Sequence, residues 1–224
     1  CLQAFIFNSF SNGNWKDTSI VLQVKPSIDS YRAIGIRNSF GITTDPITGN
    51  LWMTDNGPDK FDEINLIENK FNGGWAKIIG SINDEQLTPI SPYRDFVYSN
   101  PEFSWELPIG ITALDFADGP LFSKYDGWLF VADSNNGNIY FLKLNKERNG
   151  FDFQSEHLKD LMVNIDPENT YGNFHESMSE IMFGANFGLI TDLKFGPDGS
   201  LYVVSLMEGT IYRIYPDFVF DTPK

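Results

Sequence analysis

Cysteine is all but missing from this sequence: Cys1 is the only one among 224 residues. An internal disulfide framework and a thiolate metal cluster are therefore both excluded, while the redox compartment stays open. Histidine is nearly as scarce, with His157 and His175 alone. Positive charge is thin as well, 16 Lys+Arg against 30 Asp+Glu, for a formal net charge of −14. An acidic surface without a Lys/Arg cluster repels phosphates, which argues against a nucleic-acid partner. Cation binding, or simple solubility, suits such a charge better. No apolar run approaches the ~20 residues that span a bilayer as a helix; residues 128–132 form one of the longest. The chain opens on Cys rather than Met, with no signal-peptide pattern. Its start reads as that of a cut, processed or truncated chain.

What is present is ample for a packed core. Hydrophobic residues make up 42% and aromatics 15%, including 20 Phe, while the charged share is an ordinary 21%. That balance excludes intrinsic disorder and suits one domain or one large all-β unit.

Three stretches share one grammar. The first runs Ile42-Thr43-Thr44-Asp45, Leu51-Trp52-Met53-Thr54-Asp55 and Glu63-Ile64-Asn65-Leu66-Ile67. The second runs Ile111-Thr112-Ala113-Leu114-Asp115-Phe116, Leu129-Phe130-Val131-Ala132-Asp133 and Asn138-Ile139-Tyr140-Phe141-Leu142. The third runs Ile190-Thr191-Asp192-Leu193-Lys194-Phe195, Leu201-Tyr202-Val203-Val204-Ser205 and Thr210-Ile211-Tyr212-Arg213-Ile214. Each predicts three short strands, rich in β-branched and aromatic residues and parted by Pro/Gly/Asn turns. Helical periodicity is confined to one short candidate at residues 156–162. Repeated antiparallel units of this kind indicate an all-β fold, a β-propeller.

The units begin at Ile42, Ile111 and Ile190, a spacing beyond the ~40–50 residues of compact blades. Long connections are therefore expected over residues 71–108 and 145–187, with blade cores at 35–70, 109–144 and 188–215. Residues 1–34 read as the remnant of an earlier blade, all within a single domain spanning 1–224. About three blades plus a remnant fall short of the ~4–8 that close a ring. An incomplete propeller with exposed strand edges, prone to association, is the expectation.

Gly35-Ile36-Arg37-Asn38-Ser39-Phe40-Gly41, Asp55-Asn56-Gly57-Pro58 and Asp62-Glu63-Ile64-Asn65-Leu66 together resemble the soluble glucose/sorbosone dehydrogenases. The likeness continues through Pro101-Glu102-Phe103-Ser104-Trp105 and Gly188-Leu189-Ile190-Thr191-Asp192, and covers roughly residues 31–215. That family consists of six-bladed propellers using pyrroloquinoline quinone (PQQ) and calcium. The resemblance implies that Arg37 and Asn38 contact the quinone, that the Gly57 and Pro58 carbonyls hold calcium, and that Asp62 offsets the metal's charge from behind. The chemistry suits these roles: a guanidinium stabilises charge developing on quinone oxygens, and calcium takes hard oxygen ligands. On the residues alone, Arg37 paired with a carboxylate and Asp55-Asn56 in turn roles remain open alternatives. The segment fails the EF-hand spacing.

The resemblance also places a catalytic histidine upstream of the Arg-Asn pair, in a region this sequence does not contain. Neither His157 nor His175 matches that position, so no catalytic residue is assigned. His157 suits a surface or helix-end role, and His175 sits in a long connection. Trp15, Trp75 and Trp105 are candidates to stack on sugar rings, with core packing the commoner fate. No Gly-x-Ser-x-Gly elbow, phosphate-cradling loop or His-Glu-x-x-His occurs. The resulting expectation is a periplasmic or extracellular sugar dehydrogenase that passes electrons from a small sugar to an acceptor, with this chain inactive alone. The alternative is a non-enzymatic extracellular propeller that binds a partner protein or polysaccharide.

Overall fold

The computed structural model describes residues 31–83, 95–164 and 178–216, together with the backbone of Phe10–Ser11 and Asn14–Trp15. Residues 1–9, 12–13 and 16–30, which make up most of the expected remnant blade, and the loop bearing His175 lie outside the described residues. Two short strands, β1 (Phe10–Ser11) and β2 (Asn14–Trp15), pair antiparallel. β3 (Ala33–Ile34) pairs in parallel with β7 (Phe71–Asn72), which in turn pairs in parallel with β8 (Val97–Tyr98).

The three repeats fold as antiparallel blades, and the fold is an all-β propeller type. The first holds β4 (Ile42–Thr44), β5 (Leu51–Asp55) and β6 (Asp62–Leu66). The second holds β10 (Ile111–Phe116), β11 (Leu129–Asp133) and β12 (Ile139–Leu142). The third holds β15 (Ile190–Phe195), β16 (Leu201–Ser205) and β17 (Thr210–Ile214). The hairpin turns use glycine where φ is positive, as at Gly49 (77°) and Gly199 (76°), a region L-residues avoid. In the first hairpin the Asp45 carboxylate also accepts the Ile47 N–H and the Thr48 hydroxyl.

The fourth strands were not legible in the repeat. β9 (Phe103–Trp105) completes the first blade from within the 71–108 connection, pairing antiparallel with β6. β14 (Met182–Gly184) completes the second from within 145–187. The helix expected at 156–162 is a correction: only Glu156–Leu158 turns, as a 3-10 helix whose His157 N–H is capped by the Ser155 hydroxyl. Leu161 then adopts a φ of 61° and the chain enters β13 (Met162–Val163), parallel to β9. Burial of Leu158 and the pairing of Met162 with Ser104 override the weak helical pattern.

Blades stack face on face, which explains why the middle strands are apolar on both sides: every residue of β11 is buried. Between the first and second blades, Trp52 meets Phe151 at 5.4 Å and Trp105 meets Tyr140 at 5.2 Å. Between the second and third, Phe130 packs edge-on to Phe195 (5.1 Å), and within the second it packs edge-on to Phe183 (4.9 Å). Such pairs add ~0.5–1.5 kcal/mol each beyond the area they bury. β10 lies beside both β4 and β15. Buried Asp115 fastens the three together, accepting from Thr43 Oγ1 (3.1 Å), Lys194 Nζ (2.7 Å) and the Phe195 N–H (2.8 Å). Among the described residues no helix is long and apolar enough to cross a membrane.

Candidate cofactor and metal site

β5 ends at Asp55, where the hairpin to β6 opens into the loop of Asn56, Gly57 and Pro58. The buried Asp55 carboxylate accepts the backbone N–H groups of Arg37 (Oδ2, 3.0 Å) and Asn38 (Oδ1, 2.6 Å). The Asn56 N–H returns to the Asn38 carbonyl at 3.1 Å. The Arg-Asn step is thereby stitched to the Asn-Gly step. From there the Arg37 side chain lies along the loop: Nη1 donates to the carbonyls of Asn56 (2.7 Å) and Gly57 (3.2 Å). Its guanidinium carbon stands 5.4 Å above the Trp75 ring centroid, a cation–π distance.

Asp62 anchors the same loop from below. It is 0% exposed; Oδ1 accepts the Gly57 N–H (3.0 Å), while Oδ2 accepts those of Ile109 (2.8 Å) and Gly110 (2.6 Å). One carboxylate thus joins the Gly57 loop to the start of β10. Asn56 is held by its amide, which donates to the Ile111 carbonyl at 3.0 Å, and its buried Oδ1 has no partner. A Cβ at Gly57 would run into the carbonyls of Lys60 and Phe61, so the tight loop requires glycine.

Glu63 completes the acidic wall, with Oε1 accepting the Gly80 N–H at 2.7 Å. Burial, together with the charges of Asp55 and Asp62, pushes its carboxyl up to about 7. Burial likewise raises Asp55 and Asp62, although the amides they accept pull both back. Arg37, Asp55, Asn56, Gly57, Glu63 and Trp75 line a shallow cleft open to solvent.

Arg37, Asn38, Gly57 and Asp62 therefore fall into one hydrogen-bonded set, with Pro58 exposed on the same loop. Both Asp62 oxygens are spent on amides, so this carboxylate serves the site by fixing Gly57. Asp55, Asn56 and Glu63 were not among the site residues expected from the sequence, which offered only turn roles for Asp55 and Asn56, although each stands inside a quoted motif. Trp75, 39% exposed, is at the cleft, whereas Trp105 is fully buried against Phe103 and Tyr140. His157 is exposed on its 3-10 turn and does not line the cleft.

The residues fit the groups that the resemblance implies. Backbone carbonyls at Asn56 and Gly57, and the unpartnered Asn56 Oδ1, are hard oxygen donors suited to calcium. No group of three or more His, Cys, Asp or Glu could hold a metal among the described residues, so a metal here depends on the carbonyls. The exposed guanidinium and the Trp75 ring suit a flat anionic cofactor.

A family model described as Glucose / Sorbosone dehydrogenase matches residues 21–213. The uncharacterized protein slr1608 of Synechocystis is 26% identical over 183 residues, covering 80% of this chain and 36% of that protein. The soluble aldose sugar dehydrogenase of Escherichia coli, solved in its apo-form, is similar in fold, with a TM-score of 0.56 at 19% identity over 91% of this chain and 51% of that one. The holo form of the pyranose dehydrogenase PQQ domain of Coprinopsis cinerea gives a TM-score of 0.52 at 16% identity, over 82% and 55% of the two chains. The chain thus spans about a third of the length of this curated relative and about half that of these solved structures.

Proposed function

The chain belongs to the glucose/sorbosone dehydrogenase family, and from that premise we propose that its cleft holds PQQ and calcium for the oxidation of an aldose. The observation that carries this reading is the convergence of Arg37 and Gly57, distant in sequence, on one loop through the carboxylates of Asp55 and Asp62. When bound, the quinone supplies a hydride acceptor and the metal polarises its carbonyl oxygens.

The chain's own part is to bind and orient. Arg37 offers the planar fork of its guanidinium donors to oxygens that gain negative charge. Asn38, exposed beside it, adds a neutral donor and acceptor. Asp55 fixes the backbone of both residues, so neither must be ordered at the moment of binding. Gly57 and Pro58 offer the metal their carbonyls, and Asp62 holds Gly57 in place. Asp55 adds negative charge to the wall of the cleft, and Glu63, whose carboxyl burial pushes up to about 7, adds only part of one near neutral pH.

No described histidine reaches the cleft, so we place the base that takes the sugar's hydroxyl proton outside it and expect this chain alone not to turn over sugar. An aldose, a separate electron acceptor and a periplasmic or extracellular location complete the reading; the family resemblance supports them. Calorimetric titration of PQQ into the full chain, with and without calcium, tests it. Calcium-dependent uptake is expected. Its absence sinks the cofactor assignment and favours a binding propeller, and dye-linked aldose oxidation by the isolated chain overturns the expected inactivity.

A further inference from the structure

Arg37 does something in this structure that binding a quinone does not require. Its Nη1 donates at once to the Asn56 carbonyl (2.7 Å) and the Gly57 carbonyl (3.2 Å). The Gly57 oxygen is one that a metal at this loop would take, and the Asn56 oxygen adjoins it. We infer that Arg37 is the resident cation of the metal-free site, so that its guanidinium and a divalent ion compete for the same loop oxygens. The inference rests on the proposed metal position and adds an occupant to it.

The arrangement around the guanidinium is built rather than incidental. Asp55 pins the Arg37 backbone, Asp62 pins Gly57, and the Trp75 ring supports the side chain at 5.4 Å. A calcium ion sits ~2.3–2.6 Å from its oxygens. At that distance from Gly57 it would stand within a few ångströms of Nη1, where like charges repel strongly. The two cations exclude each other. Metal entry therefore drives the guanidinium off the carbonyls and leaves its donors free for another oxygen-bearing ligand. One side chain can in this way guard the empty loop and later serve the cofactor.

Calcium titration of the full chain without quinone, by calorimetry, tests the competition. Arg37→Gln is expected to bind calcium about tenfold more tightly than the parent, the equivalent of one lost charge-assisted hydrogen bond. Trp75→Leu, which removes the support but keeps the charge, shifts affinity in the same direction and carries the test should Arg37→Gln misfold. Lys124→Gln, which removes an equal charge elsewhere, leaves affinity unchanged. In the parent, calcium also alters tryptophan fluorescence as the guanidinium leaves Trp75, and this change is lost in Arg37→Gln. Equal or weaker binding by Arg37→Gln overturns the competition while leaving the metal site standing. No calcium binding by any variant removes the metal reading and the competition together.

Discussion

Replacing Asp62 with asparagine strains a carboxylate that is wholly buried and wholly used. Oδ1 holds the Gly57 amide at 3.0 Å, and Oδ2 holds those of Ile109 and Gly110 at 2.8 and 2.6 Å. Asparagine has the same shape, so no cavity opens, but it offers one oxygen and one NH₂ group. With the oxygen toward Ile109 and Gly110, the NH₂ faces the Gly57 N–H, donor against donor. With the amide turned round, two N–H groups are stranded instead. Each buried unpaired donor costs ~1–3 kcal/mol, and bonds to a charged acceptor lie at the upper end. Burial pushes the Asp62 carboxyl up, so relief of a desolvated charge returns part of the loss. The net is a destabilisation of about 2 kcal/mol, or about 4–8 °C in melting temperature for a chain of this size. Thermal and urea unfolding followed by circular dichroism measure it. Calcium titration supplies a second readout, because a released Gly57 presents its carbonyl less well and affinity falls. A melting temperature within about 1 °C of the parent, with calcium affinity intact, refutes the clamp.

Three further perturbations separate site from scaffold. Gly57→Ala drives a Cβ into the Lys60 and Phe61 carbonyls; the loop shifts at a cost of about 1–3 kcal/mol, and calcium binding weakens, whereas an unaltered titration would show that the loop tolerates a side chain. Arg148 clasps Asp45 through two bonds of 2.6 and 2.7 Å between the first and second blades, with the Asp45 side chain 0% exposed. Arg148→Met strands that carboxylate and costs about 3–5 kcal/mol in denaturant unfolding; adding Asp45→Asn recovers part of it, and strictly additive losses would show that the two do not act as a pair. Burial pushes the Glu102 carboxyl up to about 8. Between its ordinary value near 4.5 and that point, the folded chain keeps a proton that the unfolded chain releases, so stability falls as pH rises, by at most ~1.4 kcal/mol per unit for this group. Glu102→Gln keeps an acceptor for the Leu66 N–H, which Glu102 holds at 2.5 Å, and makes the decline from pH 5 to 8 shallower; an unchanged slope removes Glu102 as its source.

The blade strands could be read from the sequence because burial on both faces demands continuous apolar runs such as Leu129-Phe130-Val131-Ala132, bounded by turn residues whose backbone geometry is local. β9 and β14 could not. Each is three residues long and forms because a neighbouring strand offers an edge, a cause that lies far along the chain. The candidate site shows the same division. Arg37, Gly57 and Asp62 were legible through their resemblance to a known motif, Asp62 only as a charge behind the metal, but the amides that draw these segments together were not. Asp55 resembles any other acid in a chain carrying 30 of them, until the amides it accepts are seen. The acid excess that suggested cation binding or solubility is spent in part on the interior: Asp45, Asp55, Asp62, Asp115 and Asp133 are all buried acceptors.

The repeat itself shows where the first blade departs from the others. The last residue of the second strand is Asp55, Asp133 or Ser205 in the three units. In the second blade, Asp133 closes its own hairpin, accepting the amides of Asn136 (2.6 Å) and Gly137 (3.0 Å) and the hydroxyl of Tyr140 (2.7 Å). In the third, the buried Ser205 hydroxyl has no partner. Only in the first does the residue reach beyond its hairpin, to the backbone of Arg37 and Asn38. The hairpin it leaves is longer there, six residues from Asn56 to Phe61, so its carbonyls are not consumed by a tight turn. In the first blade this position acts as a bracket between two segments, and the loop beside it is the one on which Arg37 rests.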